Sequence, residues 1–256
     1  MSTEQDLQVF FDGLEAGLNS YRHVQALYDE QVAFGFNYTN LFEPNENRTS
    51  KVLAFILDPN KPHGQKTTFL KLFVELFELK VPPSLFEDEK QIAVHTPYTT
   101  TKRRSIDLTI HFGNNNYVIG IENKIWEAKD QKNQLQDYAA ELEEITRPYN
   151  NWVLFYLTRR DGGVPWEGSI TPKRRDELGE KFKSKSWKDI RNFLEQCELV
   201  CKADNVRAFL KDFKQYINRY VLQEAIMSEQ QLINDYVRNH PSIIGNLRHL
   251  MLHSTH

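Results

Sequence analysis

Only two cysteines occur in this chain, Cys197 and Cys201, too few for a disulfide framework or a four-cysteine zinc site. They stand one helical turn apart near a predicted helix end, which fits reduced thiols. No apolar run approaches the roughly 20 residues that a membrane-spanning helix needs. The N-terminus opens on Ser2-Thr3-Glu4-Gln5-Asp6 rather than on a basic start and an apolar stretch, so no signal peptide is read there. The expectation is a soluble, cytoplasmic protein with no membrane contact. Positive charge is not in excess either: 32 Lys and Arg stand against 35 Asp and Glu, a net charge of −3. That balance counts against tight, metal-free binding of nucleic acid. Internal repeats and low-complexity tracts are absent. What is left is an ordinary globular composition, 40% hydrophobic and 26% charged over 256 residues, enough for one sizeable core.

Within that chain the most informative pattern is Asp107 followed by Glu122-Asn123-Lys124. From Ser105 to His111 the residues alternate, with Ile106, Leu108 and Ile110 pointing one way and Asp107, Thr109 and His111 the other, the period of a half-buried strand. Gly113-Asn114-Asn115-Asn116 is a turn signal, because glycine and asparagine tolerate positive φ. A second strand, Tyr117 to Lys124, completes a predicted hairpin. On it Glu122 and Lys124 share a face with Gly120, and Asn123 shares the other with Ile119 and Ile121. Two carboxylates and a lysine on neighbouring strands suit a divalent-metal phosphodiesterase. Mg²⁺ takes hard oxygen ligands in an octahedron and keeps several waters, so two carboxylates and a backbone carbonyl leave positions for phosphate and water. A nearby ammonium then stabilises the growing charge. Glu-x-Lys alone is also a common ion pair on a strand; the context here is Asp107 interrupting one apolar run, Glu122 ending another, and a Gln-rich helix following.

That helix is predicted from about Gln131 to Thr146, with Gln131, Gln134 and Tyr138 at helical spacing and Leu135, Ala139 and Leu142 on an adjoining face. An upstream helix carries Glu46 and Ser50 one turn apart, then the apolar stripe Val52, Leu53, Phe55, Ile56 and Leu57, and stops at Asp58-Pro59. Glu46 is also well placed to complement a positive helix N-terminus, and His63, beside Gly64, is equally a loop-stabilising hydrogen-bond partner.

Asp107…Glu122-x-Lys124 across a hairpin, followed by Gln134-x-x-x-Tyr138 on a helix, resembles the PD-(D/E)XK nuclease superfamily, the Gln/Tyr helix being similar to that of its RecB-like members. The block Glu46-x-x-x-Ser50, Asp58-Pro59, His63-Gly64 and Phe69-Leu70 resembles the opening of an uncharacterised branch, and Tyr156-Leu157-Thr158 and Ser186-Trp187-x-x-Ile190 extend the likeness over roughly residues 40 to 200. The resemblance implies a restriction-endonuclease-like α/β fold: a mixed sheet flanked by helices, in one domain with its core at about 40–200 and helical additions at 1–39 and 201–256. It implies that Asp107, Glu122 and the Asn123 backbone carbonyl bind Mg²⁺ or Mn²⁺, that Lys124 is catalytic, and that Gln134 and Tyr138 support the site. Glu46 matches an acidic position that in many members also faces the metal; Ser50 and His63 are secondary candidates. Ile106 stands where a proline is usual, a departure shared by many members. The implied activity is a nuclease acting on nucleic acid, DNA foremost; the alternative is a catalytically silent binding or interaction module with the same fold. Restriction, phage defence and repair all use this superfamily, so a second copy of the chain or a defence-system protein is compatible as a partner.

Two basic clusters could hold phosphates. Lys102, Arg103 and Arg104 lie just ahead of Asp107. Lys173, Arg174, Arg175, Lys181, Lys183, Lys185 and Lys188 face only Asp176, Glu177 and Glu180 in their segment, which reads equally as a solvated loop. The remaining expectations are a helix from about Asp6 to Gln31, weakened by Gly13 and Gly17, a helix from Thr67 to Leu79, strands at Gln91–Thr96 and Trp152–Leu157, and helices from Trp187 to the C-terminus. His249, His253 and His256 have helical spacing there but read as solvent-facing.

Overall fold

The computed structural model describes residues 4–32, 45–125, 130–223 and 229–240. The chain divides into two compact units, residues 37–223 and residues 1–36 with 224–256. His249, His253 and His256, and any helix beyond residue 240, lie outside the described residues. No helix among the described residues is long and apolar enough to cross a membrane.

The larger unit is built on a five-stranded mixed sheet in the order β1-β4-β5-β6-β7, formed by β1 (Ile92–His95), β4 (Leu108–Phe112), β5 (Tyr117–Lys124), β6 (Trp152–Thr158) and β7 (Phe182–Ser186). The first three strands pair antiparallel, and β5, β6 and β7 run parallel. The predicted turn joins β4 to β5, with Gly113, Asn114 and Asn115 all at positive φ. A separate two-stranded ribbon consists of β2 (Tyr98–Thr99) and β3 (Ser105–Ile106).

Helices cover both faces of the sheet. On one side, α2 (Glu46–Leu57), α3 (Thr68–Leu76), α6 (Trp187–Val200) and α7 (Asp204–Tyr216) pack on Ile110, Ile119, Ile121, Phe155 and Leu157. On the other, Leu135, Tyr138, Ala139 and Leu142 of α4 (Gln134–Ile145) cover Val118, Leu154 and Tyr156. With both faces covered, β6 is buried from Trp152 to Leu157, which is why it reads as a continuous apolar run rather than an alternating one. Local signals fix the helix ends: the Asn45 side chain accepts the Arg48 N–H at the start of α2, and Ser186 with Asp189 forms a capping box on α6. Cys197 and Cys201 are buried free thiols.

Two expectations need correction. The stretch from Ser105 to His111 is not one strand: it bends at Asp107, between β3 and β4. Ile106 consequently packs on the α4 side, whereas Leu108 and Ile110 pack on the opposite side. A one-residue break shifts the phase of a period-two pattern, so the sequence alternation is real but does not describe one face. The second correction concerns the basic segment read as a loop or charge patch. It contains α5 (Pro172–Leu178), the edge strand β7 and the start of α6. The lysines at β7 lie along the sheet edge, Lys185 Nζ 5.5 Å from the Phe77 ring centre and Lys181 Nζ, just before the strand, 5.1 Å from that of Trp152. Charged side chains whose stems cover apolar surface are a usual solution for an edge strand.

In the smaller unit, α1 (Glu4–Val32) packs against α8 (Glu229–Arg238). Gly13, which weakens the helix on propensity grounds, lies beneath the Tyr236 hydroxyl, where any side chain would collide. Phe10 packs nearby, its ring centre 5.2 Å from that of Tyr236 and tilted by 48°. The glycine is therefore a contact point between helices.

Gly120, in the middle of β5, is the corresponding close approach in the sheet. A Cβ there would come within 3.0 Å of Leu142 Cδ1 and 3.3 Å of Leu154 Cδ1. Gly120→Val should destabilise the fold by about 1–3 kcal/mol through overpacking, read as a lower urea midpoint with an unchanged slope.

Candidate active site

The break at Asp107 positions the first carboxylate. The β4–β5 ladder ends at Leu108 opposite Ile121, and beyond it the Asn123 N–H is taken by the Asp107 side chain, Oδ2 at 2.8 Å. Two residues along β5 from Gly120 lies Glu122, buried at 2% exposure. Its Oε1 lies 2.9 Å from Lys124 Nζ and accepts from Gln134 Nε2 at 2.8 Å. Its Oε2 is buried with no hydrogen-bond partner among the described residues. Asp107, Glu122 and Lys124 are thus brought together as the sequence spacing predicts.

Electrostatics separate the three groups. Burial, then the Asp107 charge, pushes the Glu122 carboxyl up to about 8, against the opposing pull of Lys124. Asp107 is also raised, by burial first, although the Asn123 N–H and Lys124 oppose the shift. The two acids are close enough to share a proton, so without a cation between them one tends to stay neutral. Burial pulls the Lys124 ammonium down, but Glu122, Asp130 and Asp107 outweigh it and hold it above the ordinary lysine value. Lys124 is therefore a fixed cation and not a ready proton acceptor.

Each strand residue is held from its own face of the sheet. On the α4 face, Gln134 Nε2 also donates to the Tyr138 hydroxyl at 3.0 Å, its Oε1 accepts the Gln131 N–H at 3.0 Å, and the Tyr138 hydroxyl donates to the Ser105 carbonyl. Gln134 and Tyr138 so connect Glu122 to the strand entering the Asp107 bend. On the opposite face the Asn123 amide is enclosed: Nδ2 donates to Ser50 Oγ at 3.0 Å and to the Glu46 carbonyl at 3.3 Å, and Oδ1 accepts from Trp187 Nε1 at 2.9 Å. Glu46 Oε1 accepts the Ile125 N–H at 2.9 Å. The Glu46-x-x-x-Ser50 and Ser186-Trp187 motifs converge on one strand residue.

The remaining candidates are placed as follows. Lys102 Nζ and Arg104 Nε pair with Asp137 at 2.6 and 2.7 Å, and Arg104 also donates to Gln131 Oε1 and the Lys132 carbonyl. Arg103 is exposed, in a turn with φ of 57°. His63 is buried: Nε2 meets the Asp58 carbonyl at 2.9 Å and Nδ1 accepts the Gln65 N–H at 3.1 Å. Sequence reasoning missed Asp130, whose carboxylate lies 4.0 Å from Lys124 Nζ and accepts from the Tyr156 hydroxyl and the Trp166 N–H. An acid just ahead of the Gln-rich helix was the available signal. Among the described residues no three His, Cys, Asp or Glu side chains gather as metal ligands do.

A mixed sheet with helices on both faces and an acid, acid, lysine set at the end of its central hairpin is a restriction-endonuclease-like arrangement. The sequence profile of the PD-(D/E)XK nuclease superfamily matches residues 36–219, and the chain belongs to that superfamily. No curated protein and no solved structure matches it. Membership points to phosphodiester hydrolysis, in a superfamily that typically uses divalent metals.

The support network carries stability that can be measured. Trp187→Phe leaves the buried Asn123 Oδ1 without its donor and should destabilise the fold by about 1–3 kcal/mol, before any contribution from lost volume; chemical denaturation reads this directly. His63 gives a pH dependence. Burial holds its imidazole below the ordinary value of 6.5, so above 6.5 its stabilising neutral form is fully present. As pH falls below 6.5 the unfolded chain takes up a proton that the fold resists, and stability drops. Urea midpoints at pH 7 and about pH 5.5 should differ more for wild type than for His63→Gln.

Proposed function

We propose that this protein is a divalent-metal-dependent nuclease that hydrolyses phosphodiester bonds in DNA, with Mg²⁺ or Mn²⁺ as its cofactor. The observation that carries the reading is Glu122 Oε2, a carboxylate oxygen buried with no donor among the described residues and next to a second, half-buried acid, Asp107. Such an atom is costly to bury unless a cation completes it. The donor set suits a hard ion that keeps water in its shell: Asp107, Glu122 and the Asn123 backbone carbonyl would hold it. In an extended strand a residue's N–H and C=O point to the same edge, so that carbonyl is directed toward the side on which the Asn123 N–H meets Asp107. Bound there, the ion supplies Lewis-acid polarisation of the phosphoryl group and a more acidic water.

The chain's own residues do the rest. Lys124, held cationic, orients the attacking water and offsets the negative charge that grows on the phosphate oxygens. Gln134 fixes Glu122 Oε1 and leaves Oε2 for the ion, and Tyr138 fixes Gln134 in turn. Glu46 and Ser50 are positioning residues: they hold Ile125 and Asn123 at the end of β5, and so maintain the spacing between Glu122 and Lys124. Lys102 and Arg104, paired with Asp137, hold the approach to Asp107 against α4.

Supercoiled plasmid incubated with wild type in Mg²⁺ or Mn²⁺ should be cut, and EDTA should stop the reaction. Lys124→Ala should lose at least about a hundredfold in rate while keeping the wild-type denaturation midpoint to within a small shift. Asp107→Asn should abolish the heat of Mn²⁺ binding in calorimetry. Equal cutting by wild type and Lys124→Ala would remove Lys124 from the mechanism, and cutting that survives EDTA would remove the metal.

A further inference from the structure

Beside Lys124 the surface opens into a cleft of about 530 Å³, lined among others by Asp130, Tyr156, Arg159, Arg160 and Trp166, within the size range of small-ligand sites. Two of these side chains are poised in ways the chemistry described so far leaves unused. Arg159 has its Nε and Nη2 withdrawn from solvent with no hydrogen-bond acceptor among the described residues. A guanidinium does not deprotonate to relieve that, and its fork matches a phosphate in two-point contact. Trp166 leaves 56% of its surface exposed, which is unusual for the largest apolar side chain unless something lies on it.

The backbone that carries the indole is held in place, the Trp166 main-chain N–H donating to Asp130 Oδ2 at 2.9 Å. The ring rests over Gly168, where any side chain would collide with it. The loop behind it is tied to the start of α4: Asn133 N–H bonds the Gly168 carbonyl at 2.7 Å, and Ser169 Oγ accepts the Leu135 N–H at 3.2 Å. Asp130 in turn neighbours Lys124. An exposed aromatic ring on a tied loop and a guanidinium with two unsatisfied donors therefore line the same cleft as the lysine of the acid, acid, lysine set. The cleft's acids leave room for an anion, because Asp130 is occupied by Trp166, Tyr156 and Lys124, and Asp161 by Ser186 and Lys188.

We infer that this cleft is a subsite for one unpaired deoxynucleotide next to the cleaved bond, Arg159 holding its phosphate and Trp166 stacking on its base. The inference rests on the nuclease reading and gives it a substrate class, single-stranded or frayed DNA. In a duplex both faces of an internal base are already stacked, so the indole finds a partner only on a base that has left the stack.

The test is fluorescence anisotropy with the full chain and a short fluorescein-labelled deoxyoligonucleotide, single-stranded or annealed, in EDTA and again in Ca²⁺, beside a cleavage assay in Mn²⁺. Wild type should hold the single strand more tightly than the duplex. Trp166→Ala should lose about tenfold in single-strand affinity, with Trp166→Phe retaining most of it. Arg159→Gln should weaken binding and lower the slope of log Kd against log salt by about 0.7, one phosphate contact. Unchanged single-strand affinity in Trp166→Ala, a preference for duplex, no binding in either buffer, or tighter binding of the matching ribo-oligonucleotide would overturn the inference. The nuclease reading is judged separately: cutting by wild type with no effect of either variant on binding sinks the subsite alone, and binding lost in the variants with no cutting by wild type sinks the nuclease alone.

Discussion

The Asp107 carboxylate accepts the Asn123 N–H where a neighbouring strand would ordinarily offer a carbonyl. That substitution of a side chain for the backbone lets the hairpin end without leaving a strand amide unpaired. It also fixes one oxygen of the acid, so the carboxylate is aimed before any ligand arrives. The bend at Asp107 has a second effect, because it sends Ile106 to the α4 side and Leu108 to the other. The strand leading into the site is anchored in one core and the strand leaving it in the other.

The supporting bonds follow from the same pleat. Alternation along β5 presents Glu122 and Lys124 to α4 and Asn123 to α2 and α6, so consecutive residues can be held by different layers of the protein. The polar groups around the site form short chains of donors and acceptors that run from the surface into the interior: Gln131, Gln134, Glu122 and Tyr138 on one side, Glu46, Ser50, Asn123 and Trp187 on the other. In a low-dielectric interior such chains are worth having only when nearly complete, and Glu122 Oε2 is the point at which this one stays open.

What the sequence made legible was what short-range periodicity controls. The hairpin turn, the shared face of Glu122 and Lys124, the Gln134 and Tyr138 helix and the fully buried β6 all follow from residue spacing within one element. The Asp107 bend was hidden because breaking the ladder for one residue leaves the local alternation of Ile106, Leu108 and Ile110 intact. The edge strand β7 was hidden by the lysines in and just before it, whose stems pack on Phe77 and Trp152 while the letters read only as charge. Gly13 was read as a weakness of α1 because its benefit lies on another segment, at Tyr236. Arg159 and Trp166 come to the cleft beside Lys124 only through tertiary packing, and nothing in their spacing links them to it.

A chain with a net charge of −3 cannot hold a polyanion by its overall field, so attraction has to be local. Around Lys124 lie three acids, Asp107, Glu122 and Asp130, and burial holds Asp107 and Glu122 back from ionising together unless a cation lies between them. A divalent ion held by Asp107 and Glu122 would favour their joint ionisation and offset the charge, so in the proposed chemistry metal and phosphate would not compete for the site. Arg159 lines the same cleft, with two donors that find no acceptor among the described residues. A phosphate held there places the next one toward the metal site, so a modest local contact can impose register on a substrate that the rest of the surface does little to attract.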